Sequence, residues 1–96
     1  MDRIFNALGD PTRVVIVEEL SERDGQSLFE LCNRLTTTRG MSMSRQAVAK
    51  HIAVLREAGL VTVRVEGRTS VHRLDRSVVR EAIDWLAIRS YESRDS

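Results

Sequence analysis

Residues 44–60, SRQAVAKHIAVLREAGL, place Val48, Ile52 and Leu55 at helical spacing. At about 100° per residue these side chains fall in one narrow sector, so the stretch predicts a helix that buries this side in a core. A serine at its start suits an N-cap, and a glycine near its end suits a C-terminal stop. We therefore expect a helix over residues 44–58 whose other side faces outward.

The outward side of this helix carries polar side chains at its beginning and short side chains along its length. Gln46, Lys50, Ala53 and Glu57 lie opposite the apolar sector, and Arg45 stands in the first turn. Alanine favours helices in any context, so the short side chains alone do not indicate a function. They nevertheless allow the helix to approach a partner surface closely, as entry into a DNA groove requires.

The flanking sequence predicts further helices. Asp10 suits the N-cap of the second helix and Pro11 its first position, and together they outweigh the strand propensity of the valine-rich run that follows. Ser27 suits the N-cap of the third helix, and either Asp75 or Ser77 that of the last. The expected helices cover residues 2–8, 11–22, 28–36, 44–58 and 76–90, with a turn at 23–26.

Residues 61–74 predict a β-hairpin. Valines alternate with polar residues over 61–65, the period of a half-buried strand. Residues 69–74 return as the second strand after a two-residue turn expected at Glu66 and Gly67. A two-stranded hairpin is marginal alone in water, so it must pack against the helices. The sequence thus predicts a mainly α-helical fold of about five helices with a two-stranded hairpin.

The composition indicates one small domain with an uneven distribution of charge. Its 96 residues, taken as the single domain 1–96, carry a formal net charge of +1. Residues 39–76 hold eight Arg and Lys against three acidic residues, a net charge of +5. Such a segment fits a nucleic-acid-binding surface, although a charge cluster more often marks a solvated surface. The single cysteine and the absence of an apolar run of ~20 residues predict a cytoplasmic protein without a membrane span.

The predicted terminal helix is apolar on more than one side. Ile83 and Leu86 belong to its main apolar side, and Trp85 extends that surface further round. A domain of this size has a small core, so excess apolar surface on one helix indicates a contact between subunits. We expect the helix 76–90, together with Ile4 and Phe5 of the helix 2–8, to form a homodimer interface.

Two helices joined by a turn, followed by a hairpin, form the winged helix-turn-helix arrangement. The sequence segments that carry it are IFNALGDPTR (4–13), FELCNRL (29–35) and SRQAVAKHIAVLREAGLVTVRVEGRTSVHRLD (44–75). With the apolar terminal helix, they resemble the ArsR/SmtB family of transcriptional regulators over about residues 2–90. The resemblance implies a homodimeric bacterial repressor or autorepressor. It also implies that helix 44–58 enters the major groove, while the hairpin contacts the DNA backbone or minor groove.

The chemistry of the side chains suggests a role for each candidate DNA contact. Gln46 is able to pair bidentately with adenine and Arg45 with guanine, whereas Lys50 reaches bases or phosphates. Arg64 and Arg68 place positive charge on the hairpin, where phosphate or minor-groove contacts are expected. A symmetric dimer calls for double-stranded DNA with an inverted repeat. The candidate DNA-binding residues are Ser44, Arg45, Gln46, Ala47, Lys50, Arg64 and Arg68.

FELCNRL also resembles the metal-binding segment in the third helix of this family, with Cys32 at a ligand position. The second thiol position is occupied by Arg34, which cannot bind a metal, and the predicted terminal helix contains no His or Cys. One thiolate is not a site, because zinc takes about four ligands. We therefore expect no metal and no cofactor, with Cys32 partly buried in the core. The sequence does not identify an effector.

Two other classes of function compete with a DNA-binding regulator for this sequence. An enzyme needs convergent acid–base groups, so Cys32 would have to meet a histidine in an open cleft. The chain also lacks a glycine-rich phosphate loop after a strand, and we expect no catalysis. A winged helix that binds a protein instead of DNA is the stronger alternative, because the fold does not settle the function. The positive charge of residues 39–76 favours DNA.

Four further side chains each have two possible roles. His51 lies at the margin of the outer helix face, and we favour a hydrogen-bonded structural role over a base contact. His72 is either a phosphate donor or a packed, partly exposed ring. Arg13 either approaches a phosphate or is simply exposed. The long turn TTTRGMSM (36–43) either contacts DNA through Arg39 or loops into solvent.

Overall fold

The computed structural model describes the chain from residue 1 to residue 92, so residues 93–96 of the expected domain lie outside the described residues. The elements are α1 (Asp2–Leu8), α2 (Pro11–Glu22), β1 (Gln26–Ser27), α3 (Leu28–Thr37), α4 (Arg45–Glu57), β2 (Val61–Glu66), β3 (Thr69–Leu74) and α5 (Arg76–Glu92). The predicted helices and hairpin are all present, which confirms the mainly α-helical fold. Within the described part of the chain, no helix combines the length and apolarity needed to cross a membrane.

Side-chain caps begin the helices at the predicted positions. Asp10 accepts hydrogen bonds at 2.8 and 3.3 Å from two backbone N–H groups of α2, which favours a helix over a strand for the valine-rich run. Ser27 and Glu30 form a reciprocal capping box at the start of α3. Ser44 accepts a hydrogen bond at 3.1 Å from an N–H of α4. Of the two candidate caps for α5, Asp75 accepts the backbone hydrogen bonds.

The hairpin turn lies one residue later than predicted. Glu66 pairs with Thr69 as the last rung of the β2–β3 ladder, so the turn consists of Gly67 and Arg68. Gly67 has a φ of +66°, whereas Arg68 has no positive φ. This is the type II′ pattern, whose twist matches that of two antiparallel strands. Arg68 is therefore part of the turn itself, at the tip of the wing.

The sheet contains a third strand, β1, that the sequence does not predict. At this place the sequence indicates the end of a turn at Gln26 and a helix N-cap at Ser27. Gln26 and Ser27 pair with His72 and Val71, giving the strand order β1-β3-β2. The buried ring of His72 also lies 3.0 Å from the Gln26 carbonyl through its Nδ1. Because a carbonyl only accepts hydrogen bonds, Nδ1 carries the proton. His72 is thus a packed ring that joins the hairpin to the helices, and the phosphate-donor role is wrong.

The core lies where α1, α2, α3 and α4 meet the base of the hairpin and α5. The apolar sector predicted for α4 is buried, which fixes the rotation of this helix about its axis. Gly59 ends α4 with a φ of +82°, a conformation that glycine adopts without a steric cost. The buried apolar residues are Ile4, Ala7, Ile16, Leu20, Leu31, Leu35, Val48, Ile52, Leu55, Leu60, Val61, Leu74 and Ala82.

The long connection between α3 and α4 is held against the helical body. Arg39 lies 3.3 Å from the Glu19 carboxylate and 2.8 Å from that of Glu22, both on α2. The Met41 N–H donates a hydrogen bond of 2.9 Å to the Leu35 carbonyl. The turn therefore does not simply loop into solvent, because the Arg39 guanidinium is bound to carboxylates of α2. A contact between Arg39 and DNA stays a prediction.

Candidate nucleic-acid interface

The N-terminal half of α4 presents the candidate contacts at one exposed helix end. Its buried side turns the polar residues away from the core, because positions three or four apart share a helix face. Ala47 is only half-buried, so the backbone is accessible between the longer side chains. The exposed members of the set are Ser44, Arg45, Gln46 and Lys50. We call these residues the α4 tip.

Phe29 lies beside the α4 tip and is absent from the residues predicted for the site. Its side chain is 65% exposed, and the Arg45 guanidinium carbon lies 5.9 Å from the centre of its ring. The signal for it in the sequence is an aromatic residue beside, rather than within, the apolar stripe of α3. That stripe consists of Leu28, Leu31 and Leu35.

Cys32 is half-buried one turn after Phe29 and packs against the core, as predicted. Burial raises the pKa of the Cys32 thiol, and the nearby Arg45 offsets this only in part. A thiol with a raised pKa is mostly protonated at neutral pH, and the thiolate is the reactive and metal-binding form. Cys32 therefore has the properties of an apolar packing residue.

His51, at the margin of the outer face of α4, is held by Arg13. The Arg13 Nη1 atom lies 3.3 Å from His51 Nδ1, while its Nε donates to the Ala7 carbonyl at 2.6 Å. A cation at the C-terminal end of α1 is favourable, because the unpaired carbonyls there carry partial negative charge. Arginine only donates, so His51 Nδ1 accepts and the ring proton lies on Nε2. The structural role of His51 is confirmed. Arg13 is not simply exposed, because its guanidinium is bound to Ala7 and His51, and its approach to a phosphate stays a prediction.

The wing carries two exposed arginines, Arg64 on β2 and Arg68 in the turn. Neither makes an ion pair with a carboxylate among the described side chains, those of residues 1–91. Arg73 differs, because it lies 2.7 Å from Glu66 across the hairpin. The wing thus offers two unneutralised cations to a polyanionic partner.

The terminal helix exposes part of its apolar surface. Ile83 is 58% and Leu86 51% exposed, while Phe5 of α1 packs against Trp85 with ring centres 5.3 Å apart and ring planes tilted by 52°. Ile4 is buried within the core of its own chain, so its expected place in an exposed subunit interface is corrected. The exposed apolar surface at the chain's terminal helices therefore belongs mainly to α5, with the partly buried Phe5 beside it.

Other kinds of site find little support in the described part of the chain. Among the side chains that the structure describes, no group of three or more His, Cys, Asp or Glu is close enough to hold a metal ion. Arg34, at the second thiol position of the resemblance, forms an ion pair with Glu19. An open cleft of about 440 Å³ between α1 and the end of α4 is lined by Arg3, Asn6, Val54, Glu57 and Ala58, without a thiol or an imidazole.

The fold and these side chains define a class of protein. Two helices joined by a turn, the second with an exposed polar end, precede a hairpin with cations at its tip. This is a winged helix-turn-helix domain, in which the second helix of the pair and the wing approach DNA together.

Comparisons with known proteins agree with this class. The model of the helix-turn-helix domain family matches residues 8–64. The uncharacterized HTH-type transcriptional regulator YuzN of Bacillus subtilis is 53% identical over 70 residues, which cover 73% of this chain and 76% of that protein. The arsenical resistance operon repressor of Escherichia coli is 35% identical over 72 residues, which cover 75% of this chain and 56% of the repressor.

Among solved structures, an ArsR-like transcriptional regulator from Rhodococcus sp. RHA1 matches with a TM-score of 0.83 and 31% identity, covering 98% of this chain and 82% of that one. The chain belongs to the ArsR family of helix-turn-helix transcriptional regulators. It is a transcriptional regulator with a DNA-binding domain, and the relatives it matches are regulators rather than enzymes.

Proposed function

We propose that the protein is a homodimeric, sequence-specific DNA-binding repressor that acts in the bacterial cytoplasm. Its α4 tip contacts base edges in the major groove, and its wing contacts the backbone or the minor groove. The observation that carries this proposal is the exposed α4 tip, whose orientation is fixed by the buried opposite side of the same helix. Repression is supported by the similarity to the arsenical resistance operon repressor.

The side chains of the α4 tip and of the wing have different roles in DNA recognition. Gln46 pairs with adenine and Arg45 with guanine, because each side chain presents two hydrogen-bonding groups that match one base edge. Ser44 uses its oxygen to cap α4, which leaves its hydroxyl proton for a phosphate or base. Arg64 and Arg68 add affinity without much sequence preference.

Dimerisation doubles this surface and sets the form of the operator. The exposed part of α5, with Phe5 beside it, is the apolar surface that a second copy covers. A twofold dimer brings two α4 tips to one face, so the operator is an inverted repeat with half-sites about one helical turn apart.

The test begins with selection from a randomised duplex library, followed by fluorescence anisotropy with the selected DNA at ~150 mM salt. We expect an inverted repeat that binds at least ~10³-fold more tightly than random duplex. Lys50→Ala lowers this affinity, whereas Arg56→Ala, an exposed cation at the other end of α4, leaves it nearly unchanged. Equal affinity for all duplexes rejects the proposal and favours a protein-binding module.

A further inference from the structure

We propose that Phe29 is a specificity-determining positioning residue, whose ring holds the Arg45 guanidinium in place at the start of α4 before DNA binds. The inference rests on the proposed function, in which Arg45 contacts a base. Phe29 touches no base in this arrangement and acts through Arg45.

The exposure of Phe29 is not explained by packing in the core. Aromatic side chains are large and usually bury most of their surface, as Phe5 and Trp85 do where they pack against each other. Phe29 is 65% exposed, although its neighbour Leu28 packs against the core and Leu31 is fully buried. The hydrophobic core therefore gains little from a phenyl ring at this position.

Arg45 needs a stabilising contact where it stands. It is the first residue of α4, where unpaired backbone N–H groups produce a partial positive charge that disfavours a cation. Among the side chains of residues 1–91, no carboxylate lies within ion-pair distance of Arg45. The Phe29 ring does lie 5.9 Å from its guanidinium carbon, within the range of about 6 Å over which a cation is attracted to an aromatic face.

Holding the guanidinium in place favours discrimination between bases. Arginine is a flexible side chain, and its ordering on binding opposes the contact that it makes. Pairing with guanine needs both N–H groups of the planar fork in the correct orientation, whereas a phosphate accepts many orientations. A ring that pre-orients Arg45 therefore raises affinity for the operator more than affinity for random duplex.

The experiment measures operator and random-duplex affinity, together with base preference across the half-site, for a set of variants. Phe29→Leu keeps an apolar side chain without a π face, Phe29→Ala removes it, and Phe29→Tyr keeps the ring. We expect the Leu and Ala variants to lose about two- to fivefold in operator affinity, the effect of one exposed cation–aromatic contact. The Leu and Ala variants also weaken the base preference at the position that Arg45→Ala affects. Phe29→Tyr keeps the operator affinity and base preference of the wild type.

The double variant Phe29→Ala/Arg45→Ala separates the possible roles of the ring. If Phe29 acts through Arg45, the double variant binds the operator no more weakly than Arg45→Ala alone. Additive losses, or unchanged binding by Phe29→Leu, overturn the inference. If the wild-type protein does not discriminate any operator from random duplex, the proposed function itself is contradicted. If the wild type discriminates and Phe29→Leu does so equally well, only the role of Phe29 is contradicted.

Discussion

The carboxylate of Glu19, fully buried on α2, lies 3.3 Å from Nε of Arg39 in the connection that leads into α4. The same carboxylate accepts hydrogen bonds from Arg34 of α3 and, at 3.1 Å, from Gln26 of β1. One carboxylate of α2 thus contacts α3, β1 and the long connection between α3 and α4. Removing the Glu19 charge leaves Arg34 without a carboxylate partner and Arg39 with Glu22 alone, and breaking a buried ion pair in this way is destabilising.

Substitution of Glu19 is expected to lower the free energy of unfolding. Glu19→Ala should cost about 3 kcal/mol, the lower end for a broken buried ion pair, because both arginines retain some access to water. Glu19→Gln keeps an acceptor and should cost about 2 kcal/mol. Urea unfolding followed by circular dichroism measures both. The control is Glu22→Gln, an exposed partner of Arg39, for which at most about 1 kcal/mol is expected. An equal loss in the control contradicts the special role of Glu19.

Acid should remove the stabilisation that Glu19 provides. Burial raises the pKa of the Glu19 carboxyl, but hydrogen bonds from Arg34, Gln26 and Arg39 outweigh it, so the pKa lies below its ordinary value. A carboxyl whose pKa is lower in the folded state stabilises the protein above its unfolded pKa, about 4.3, and loses this effect as the pH falls towards the folded value.

The expected observation is a pH-dependent difference between wild type and Glu19→Gln. The gap in their free energies of unfolding should be constant from about pH 7 to pH 5 and should shrink below about pH 4.3. Hydrogen bonds at Ser27 and Ser77 also hold the pKa values of Glu30 and Asp75 low, so both proteins share the remaining acid sensitivity. A gap that widens in acid reverses the sign of the effect and contradicts this account.

The elements and their caps were predictable because they depend on neighbours in the sequence. Asp10 and Ser27 bond to N–H groups within the next three residues, and the α4 sector follows from the helical period. Contacts between distant residues were not predictable. Arg39 meets a partner 20 positions away, and His72 meets Gln26 46 positions away, so no local pattern distinguishes these pairings from exposure to solvent or DNA.

The candidate site was predicted as far as helix periodicity determines it. Burial of one side of α4 turned Gln46 and Lys50 outward, as the sequence indicated. The sequence does not predict a role for Phe29, because its proximity to Arg45 depends on how α3 packs against α4. Ile4 was misplaced for a related reason, since an apolar stripe has the same sequence pattern whether it faces its own core or a second subunit.

The wing and the α4 tip should differ in how their removal affects binding. Arg68→Ala should weaken binding to every duplex and lower the slope of log K against log salt by about one unit, the effect of one lost phosphate contact. Gln46→Ala should mainly reduce the preference for one base and leave the salt slope unchanged. Anisotropy titrations at several salt concentrations measure both. A salt slope that Arg68→Ala does not change shows that this arginine makes no phosphate contact.

A charge on the exposed apolar side of α5 should separate the subunits. Leu86 is 51% exposed in the single chain, so Leu86→Glu is accommodated by the monomer but places an unpaired carboxylate in the proposed interface. We expect a dimer for the wild type and a monomer for Leu86→Glu in sedimentation at micromolar concentration, with operator affinity reduced to that of one half-site. Thr62→Glu adds the same charge on exposed β2 and should remain dimeric. A wild-type monomer under these conditions, or a Leu86→Glu dimer, contradicts the assignment of α5 to the interface.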